Sequence, residues 1–168
     1  MPMSEYMRGL RAKVGTTLLE IPTASVLTFD VQGRVLLVKH ADVHRWTTPG
    51  GAVEPQERPA DAAVREMWEE TGLHVELTNI IGVYGGPEFS TTYSNGDAVS
   101  FLTTVFEGRR IGGVPRPDGV ETSEVRWVAQ AELPSLHTAP WVVHVLSHAF
   151  RDRSRPHFDP PTWAPTDS

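Results

Sequence analysis

Glu66, Glu69 and Glu70 could together form a metal-binding face. They lie in Pro59–Thr71, a segment whose apolar periodicity predicts an α-helix and whose proline suits the first turn. At about 100° per residue, Glu70 lies about 40° to one side of Glu66 and Glu69 about 60° to the other, so the carboxylates converge. Like charges at this spacing destabilise a helix by roughly 0.2–0.5 kcal/mol per pair, a penalty that a divalent cation would reverse. All-oxygen ligation favours Mg²⁺, or else Mn²⁺, over zinc.

A cation at this face would neutralise a diphosphate and lower the pKa of an attacking water. The alternative interpretation is a solvated acidic helix face, which is common on protein surfaces. The residues around the glutamates argue against that alternative, because Gly51, Glu57, Arg65 and Gly72-Leu73 complete the pattern G-x5-E-x7-R-E-Φ-x-E-E-x-G-Φ, where Φ is apolar. A chance match is on the order of 10⁻⁹ per starting position. The pattern therefore favours a metal site.

The other sides of this helix have separate expected roles. Four residues gather roughly opposite the glutamates and are expected to face the core: Val64, Met67, Trp68 and Thr71. Ala62 and Ala63 lie one turn before Glu66, so we expect them near the acidic face. Their small side chains would let a phosphate or a metal approach closely. Gly72 is placed to cap the helix C-terminus.

The rest of the chain predicts the scaffold that positions this helix. Ala24–Asp30 and Arg34–His40 are β-rich and separated by a short turn, which predicts a hairpin of two buried strands. The remaining predicted elements are extended segments at His74–Tyr84 and Val125–Val128, a hairpin around Asn95-Gly96 formed by Phe89–Tyr93 and Ala98–Phe106, and a helix at Trp141–Phe150. Strands before, between and after helices indicate an α/β sandwich with a mixed sheet.

The acidic pattern is the Nudix box, and the chain resembles the Nudix hydrolase family from about Thr23 to about Phe150. Trp46–Gly51 is also similar to the segment that leads into the box in that family, although Thr48 replaces a commonly apolar residue. The resemblance implies an α/β/α sandwich that hydrolyses the pyrophosphate bond of a nucleoside diphosphate linked to another moiety. A nucleotide sugar, an ADP-ribose-like compound and a (d)NTP all fit that description. The alternative is a catalytically silent nucleotide-sensing or protein-binding module of the same fold.

The resemblance implies a role for each matched position. Glu66 and Glu70 are the main expected metal ligands, and Glu69 is a ligand, a water-bridged ligand or the base. The carbonyl of Gly50 is a further possible ligand. Glu57 and Arg65 are expected to set the geometry between loop and helix, with Glu57 sometimes closer to the metals.

Family members often recruit one more carboxylate from a later loop. Glu121, which lies six residues before Trp127, is favoured for that role, with Glu124 and Glu88 as the other candidates. The general base stays open between Glu69, Glu121 and Glu124.

Substrate specificity must come from residues outside the box. Four aromatic residues in or near predicted loops are candidates for stacking on a base: Trp46, Tyr84, Phe89 and Tyr93. Phe89 and Tyr93 share a strand alternation phase, so we expect them to point to one side. The alternative for each residue is ordinary core or hairpin packing.

The termini are predicted to lie outside the catalytic domain. Residues 1–20 form a helical arm with an apolar stripe at Met3, Met7, Leu10 and Val14, which would pack on its own domain or on a second subunit in a homodimer. Residues 21–150 form the single Nudix-type domain. Residues 151–168 are a proline-rich linker or irregular surface segment, in which Phe158 and Trp163 could dock on a groove.

Bulk composition limits the possible partners and compartment. The chain has 168 residues, a net charge of −6 and no cysteine, which excludes disulfides and thiol chemistry and fits a reducing cytoplasm. The negative charge does not favour nucleic-acid binding, and no apolar run predicts a signal peptide or membrane span. The expected partner is a small nucleotide substrate.

Overall fold

Three helices are present in the structure, a computed structural model that describes residues 4–165. They are α1 Glu5–Val14, α2 Pro59–Thr71 and α3 Pro140–Arg151, with short 3₁₀ turns at Pro87–Phe89 and Gln130–Ser135. Helix α2 has the predicted bounds. Gly72 ends it in the left-handed conformation and donates its backbone N–H to the Trp68 carbonyl, which is the predicted cap.

Within residues 4–165, eight strands form two sheets. The strands are β1 Leu19–Leu27, β2 Val35–His40, β3 Trp46–Thr47, β4 Gly50–Ala52, β5 Leu73–Tyr84, β6 Ser90–Thr92, β7 Ala98–Gly113 and β8 Thr122–Val128. The larger sheet has the order β4-β1-β7-β5, with β6 paired to β7, and the smaller has the order β3-β2-β8. Strands β1 and β7 are parallel whereas β4 and β5 run antiparallel to their neighbours, so the larger sheet is mixed, as predicted.

The two sheets lie between α2 and α3, which confirms the α/β/α sandwich. Neighbouring residues on one strand contribute to opposite sides: Val26 packs in the cluster that contains Met67 of α2, and Leu27 packs in the cluster that contains Leu146 of α3. This alternation follows from the two-residue period of a strand. It gives the molecule two apolar layers, one under each helix.

The predicted hairpin between the first two strands is only partly correct. The turn is present, because Asp30 donates its N–H to the Arg34 carbonyl at 3.0 Å and a single bridge joins Phe29 to Val35. Strands β1 and β2 then diverge into different sheets, since β1 pairs with β7 and β2 pairs with β8. Strands β7 and β8 give β1 and β2 longer pairing partners than β1 and β2 give each other. The alternation of residues within β1 and β2 does not identify these distant partners. The hairpin of β6 and β7 around Asn95-Gly96 is confirmed.

Helix α1 packs on its own domain through an arginine. Arg11 is buried and donates to the carbonyls of Thr17 at 2.7 Å and Ala98 at 2.7 Å, and it pairs with Asp97. Met7, Leu10 and Val14 are half-buried, so with Arg11 the predicted stripe forms the less exposed side of α1. Met3 lies outside the described residues. These contacts support packing on the same domain, and a homodimer stays a prediction.

The tail adds a short pairing to the edge of the larger sheet. The N–H of His157 donates to the Ile81 carbonyl at 2.7 Å, and the N–H of Val83 donates to the His157 carbonyl at 3.1 Å. Phe158 and Trp163 are exposed, so the structure shows neither docked in a groove. No helix within residues 4–165 is long and apolar enough to cross a membrane.

Candidate active site

The first element of the site is the contact between strand β4 and helix α2. Strand β4 pairs antiparallel with β1, which opposes Gly50 to Ser25 and Gly51 to Ala24. The N–H of Gly50 then donates to Glu70 Oε2 at 2.9 Å. The carboxylate of Glu70 is therefore fixed by a backbone group of the sheet.

Gly51 explains why a glycine is needed at the start of the box. A Cβ built on Gly51 would lie 2.5 Å from Glu66 Oε1 and 2.6 Å from its Cδ. Any side chain at this position would displace the carboxylate. The glycine thus lets Glu66 lie directly against the strand.

Thr48, the departure from the family pattern, has a local explanation. Ser25 Oγ donates to the Pro49 carbonyl at 2.7 Å and lies 2.7 Å from Thr48 Oγ1. Because the hydroxyl proton of Ser25 is already used, Thr48 is the donor between the two hydroxyls. A polar residue at this buried position is satisfied by its neighbour, so it does not disturb the loop.

Arg65 links two glutamates of α2, Glu66 and Glu69, to Glu57 in the loop before the helix. Its Nε and Nη2 each lie 2.9 Å from the carboxylate oxygens of Glu57, and its Nη1 donates to Glu66 Oε1 at 2.6 Å and to Glu69 Oε2 at 3.2 Å. Its Nη2 also reaches the Ala52 carbonyl at 3.2 Å. The hydrogen bond from Arg65 lowers the pKa of Glu57, and the hydrogen bond to Glu57 in turn raises the pKa of Arg65. Glu57 and Arg65 thus connect the loop to the helix, and their positioning role in catalysis stays a prediction.

Two carboxylates of the acidic helix, those of Glu66 and Glu70, are buried. Burial raises the pKa of Glu66, although its hydrogen bond with Arg65 opposes the shift. Burial also raises the pKa of Glu70 well above its ordinary value, with the charges of Glu66 and Glu121 adding to the effect. Within residues 4–165, Glu70 Oε1 is buried and has no hydrogen-bond partner. A buried carboxylate with an unpartnered oxygen is costly as an anion, and protonation or a bound cation relieves that cost.

The opposite wall of the cleft is a loop that the sequence only partly identified. The cleft is lined by Glu66, Glu69, Glu70, Asp118, Val120 and Glu121. Asp118 Oδ1 accepts from the N–H groups of Val120, Glu121 and Thr122 at 3.1, 3.1 and 2.8 Å, and the Thr122 hydroxyl lies 3.0 Å from the Glu70 carbonyl oxygen. Asp118 thus folds the loop that holds Glu121 next to α2. The Asp118-Gly119 turn pair was the available signal for this loop.

The structure separates the three candidates for the extra carboxylate. Glu121 lines the cleft, and burial raises its pKa. Glu124 lies on β8, where it is half-exposed and pairs with Lys39 Nζ at 2.7 Å. Glu88 is exposed in the Pro87–Phe89 turn and does not line the cleft. The geometry therefore places Glu121 with the box glutamates.

The aromatic residues expected to stack on a base are mostly core residues. Trp46, Tyr84 and Phe89 are buried, and the Tyr84 and Phe89 rings stack with centroids 5.9 Å apart. Tyr93 is half-exposed, so the expectation that Phe89 and Tyr93 point to one side was wrong, because the chain turns at Pro87–Phe89 before β6 begins. Trp46, Tyr84 and Phe89 therefore follow the alternative interpretation, which is ordinary core packing.

The predicted division of α2 into faces also needs correction. Ala62 and Ala63 are fully buried in the cluster under α2, so they do not leave room for a ligand above the acidic face. Val64 and Trp68 are exposed, and Trp68 stacks on His74 with centroids 4.2 Å apart. The small alanines let the helix approach the sheet closely, and this brings Glu66 and Glu70 down to strand β4.

The donor set of the cleft suits a hard divalent cation. In the described part of the chain, no three of these carboxylates bring their oxygens within 4.8 Å of one another. Mg²⁺ is nevertheless usually held by one or two carboxylates, with water and substrate phosphate supplying the other ligands. Glu70, with its unpartnered Oε1, and its neighbour Glu66 meet that requirement. The site therefore fits such an ion.

These features define the Nudix class, in which an acidic helix faces a glycine strand inside an α/β/α sandwich. The chain belongs to the Nudix family, since the family model described as the NUDIX domain matches residues 20–150. It is an enzyme of the pyrophosphohydrolase class. Nudix hydrolases generally use divalent metal ions and act on small nucleotides.

Sequence relatives and solved structures agree with this membership. A Bacillus subtilis (strain 168) protein provisionally named an 8-oxo-dGTP diphosphatase is 39% identical over 111 residues, which cover 66% of this chain and 68% of that protein. A MutT-like protein from Streptomyces ambofaciens is 30% identical and the match covers 84% of each chain. A Nudix hydrolase structure from Nitrosomonas europaea has a TM-score of 0.65 at 20% identity, covering 80% of this chain and 91% of that one. The structural similarity shows the fold alone.

Proposed function

We propose that this chain is a Mg²⁺-dependent hydrolase of the phosphoanhydride bonds of nucleoside triphosphates. The observation that carries the proposal is the buried carboxylate of Glu70, which has one oxygen held by Gly50 and the other without a hydrogen-bond partner among residues 4–165. Such a carboxylate is suited to an ion that bridges protein and phosphate oxygens. Mn²⁺ has the same ligand preference and is expected to substitute.

Glu66 and Glu70 would hold the ion, with the Gly50 carbonyl as a further ligand. The ion would neutralise the diphosphate and lower the pKa of a nearby water. Arg65 holds the carboxylates of Glu66 and Glu69 next to each other through hydrogen bonds from its Nη1.

We assign the general base to Glu121. Glu69 is half-exposed, and one of its carboxylate oxygens already accepts a hydrogen bond from Arg65 at 3.2 Å. Glu121 faces Glu66 and Glu70 from the opposite wall of the cleft. Its carboxylate is therefore positioned to accept the proton of a water held between the walls.

Nucleoside triphosphates are favoured over other substrates by the relatives. The region aligned with this chain covers more than two thirds of the Bacillus subtilis relative and of the Streptomyces ambofaciens relative. The Bacillus subtilis relative is named as an 8-oxo-dGTP diphosphatase, which supports canonical and oxidised guanine nucleotides as the first substrates to test. ADP-ribose and nucleotide sugars are the competing classes.

The test is a substrate panel. The protein is incubated with Mg²⁺ and with nucleoside triphosphates, 8-oxo-dGTP, ADP-ribose and UDP-sugars, and the products are separated. The proposal predicts nucleoside monophosphate and pyrophosphate from at least one triphosphate. Turnover of ADP-ribose or a nucleotide sugar alone would reassign the substrate class. No turnover across the panel by folded protein would contradict the proposed activity.

A further inference from the structure

A second constellation of potential metal ligands lies away from the carboxylate cleft. It consists of His144 and His148 on α3 and His157 in the tail, and one ligand atom from each lies within 4.8 Å of the others. His144 and His148 are four residues apart, so they lie on the same side of the helix. The cluster belongs to the α3 layer, whereas the carboxylate cleft is built on α2.

His157 is held in place by its backbone. The peptide groups of His157 pair with Ile81 and Val83 on β5, at 2.7 and 3.1 Å. This pairing requires Gly82, because a Cβ there would lie 2.6 Å from the His157 carbonyl oxygen. The third imidazole is therefore brought to α3 by an ordered contact with the sheet.

The three rings crowd one another above Tyr84. The centroids of His148 and His157 are 3.4 Å apart, and those of His144 and His148 are 4.6 Å apart. In the part of the chain that the structure describes, His148 Nδ1 is buried without a hydrogen-bond partner, and so is the Tyr84 hydroxyl. Three imidazoles this close repel one another if protonated, and each offers a lone pair when neutral. Burial, with the nearby imidazoles, lowers the pKa of His148 and so favours the neutral ring.

A carboxylate lies beside the cluster. Asp159 Oδ1 is 3.1 Å from His144 Nε2 and 3.3 Å from His157 Nε2. A carboxylate that accepts from imidazole N–H groups fixes their tautomer and raises their basicity as ligands. Asp159 also supplies a negative charge next to any cation that the rings bind.

We propose that His144, His148 and His157 form a binding site for one transition-metal ion of the Zn²⁺ type, with Asp159 as a fourth ligand or as the partner that orients the rings. Three imidazoles and a carboxylate suit zinc, which takes nitrogen ligands at about 2.0–2.1 Å in tetrahedral geometry. Ligating atoms in such a site are roughly 3.4 Å apart. Those of the cluster lie within 4.8 Å of one another, and the stacked His148 and His157 rings would have to turn for both lone pairs to meet at the ion. Mg²⁺ prefers oxygen ligands, so the two sites would select different ions.

The site would fasten the tail to the folded domain. His144 and His148 belong to α3, and His157 lies on the segment that borders β5. An ion that joins them would close the polypeptide between Arg151 and His157 into a loop. Metal binding to the folded state alone stabilises that state, so Zn²⁺ should make the domain and its attached tail more stable.

The experiment measures Zn²⁺ binding to untagged protein by calorimetry in excess Mg²⁺. The protein carries Glu66→Gln and Glu70→Gln, so the carboxylate cleft contributes little binding. We expect one equivalent of Zn²⁺, with affinity at least tenfold weaker in His148→Ala and in His157→Ala. His74→Ala is the matched control, because His74 stacks on Trp68 at the surface away from the cluster, and it should bind Zn²⁺ like the parent. Co²⁺ should give the visible absorption of a tetrahedral site in the parent and in the control.

Two outcomes would overturn the proposal. One is stoichiometric Zn²⁺ binding that His148→Ala and His157→Ala leave unchanged, and the other is no binding above the level of those variants, which would make the cluster ordinary packing. His157→Ala decides the case if His148→Ala fails to fold, since His157 lies beyond α3. A tryptic digest provides a second readout: Zn²⁺ should slow cleavage after Arg153 in the parent but not in His157→Ala.

Discussion

Glu70 and Gly50 join the acidic helix to the sheet through one hydrogen bond, from the Gly50 N–H to Glu70 Oε2 at 2.9 Å. Within residues 4–165, the other oxygen of Glu70 is buried with no hydrogen-bond partner. One oxygen is therefore held by the strand, and the other stays available to a cation. This relationship makes the helix and the strand a single site.

Glu121 and Glu124 should behave differently although they lie three residues apart. Glu121→Gln removes the proposed base, and loss of a general base typically lowers kcat about 10²–10⁴-fold. Glu124→Gln removes only a surface pair with Lys39 and should leave kcat unchanged. Steady-state kinetics on both variants measure the difference. A loss only in Glu124→Gln would place the catalytic carboxylate on β8. Equal losses in both variants would contradict the assignment of the base to Glu121 alone.

Gly51→Ala should disable the site without unfolding the domain. Its Cβ would overlap Glu66 Oε1, at 2.5 Å, and overpacking of this kind costs about 1–3 kcal/mol of stability. The displaced carboxylate should weaken Mg²⁺ activation. Gly9→Ala is the matched control, because nothing lies within 4 Å of its Cβ, and in a helix it should stabilise by roughly 0.5–1 kcal/mol. Full Mg²⁺ activation in folded Gly51→Ala would show that Glu66 can bind the metal from another position.

Glu57 should make stability depend on acid pH. The hydrogen bond from Arg65 lowers the pKa of Glu57 below its ordinary value of 4.5. A lowered folded-state pKa contributes stability that is present above 4.5 and is lost as pH falls through the folded-state value. Glu57→Gln should therefore reduce unfolding free energy at neutral pH and flatten its decline below pH 4.5, measured by denaturant titration without metal. An identical acid profile in parent and variant would mean that the pair adds no net stability.

Tyr84→Phe should leave catalysis unchanged, because the ring lies in the core. Among the residues that the structure describes, the Tyr84 hydroxyl is buried without a hydrogen-bond partner. Removing it should stabilise the domain by about 1 kcal/mol, provided that no Zn²⁺ is bound nearby. Thermal unfolding and KM are the two measurements. A raised KM would instead return Tyr84 to the substrate site.

Sequence patterns predict the parts of this fold that depend on neighbouring residues in the chain. The bounds of α2, the convergence of its glutamates and the hairpin at Asn95-Gly96 follow from local periodicity and turn chemistry, so they could be predicted. The divergence of β1 and β2 depends on pairing with β7 and β8, which lie far away in the sequence. Likewise, the burial of Ala62 depends on how closely the helix approaches the sheet, and the burial of Arg11 depends on carbonyls that only the fold brings together.

The histidine cluster illustrates the same limit. His144 and His148 share a helix face in the sequence, but the third ring arrives through backbone pairing of His157 with β5. Nothing in the local pattern of the tail predicts that pairing. It needs Gly82 as a partner without a side chain.

The most direct test of the catalytic account is the Mg²⁺ dependence of Glu70→Gln. Turnover of the best triphosphate is measured against Mg²⁺ concentration for the parent and the variant, with circular dichroism to confirm that both are folded. Glutamine keeps an oxygen acceptor for the Gly50 N–H but removes the charge that binds the cation, so kcat/KM should fall by at least about 10²-fold and more Mg²⁺ should be needed. A folded Glu70→Gln that retains the parent's activity and Mg²⁺ dependence would contradict the account.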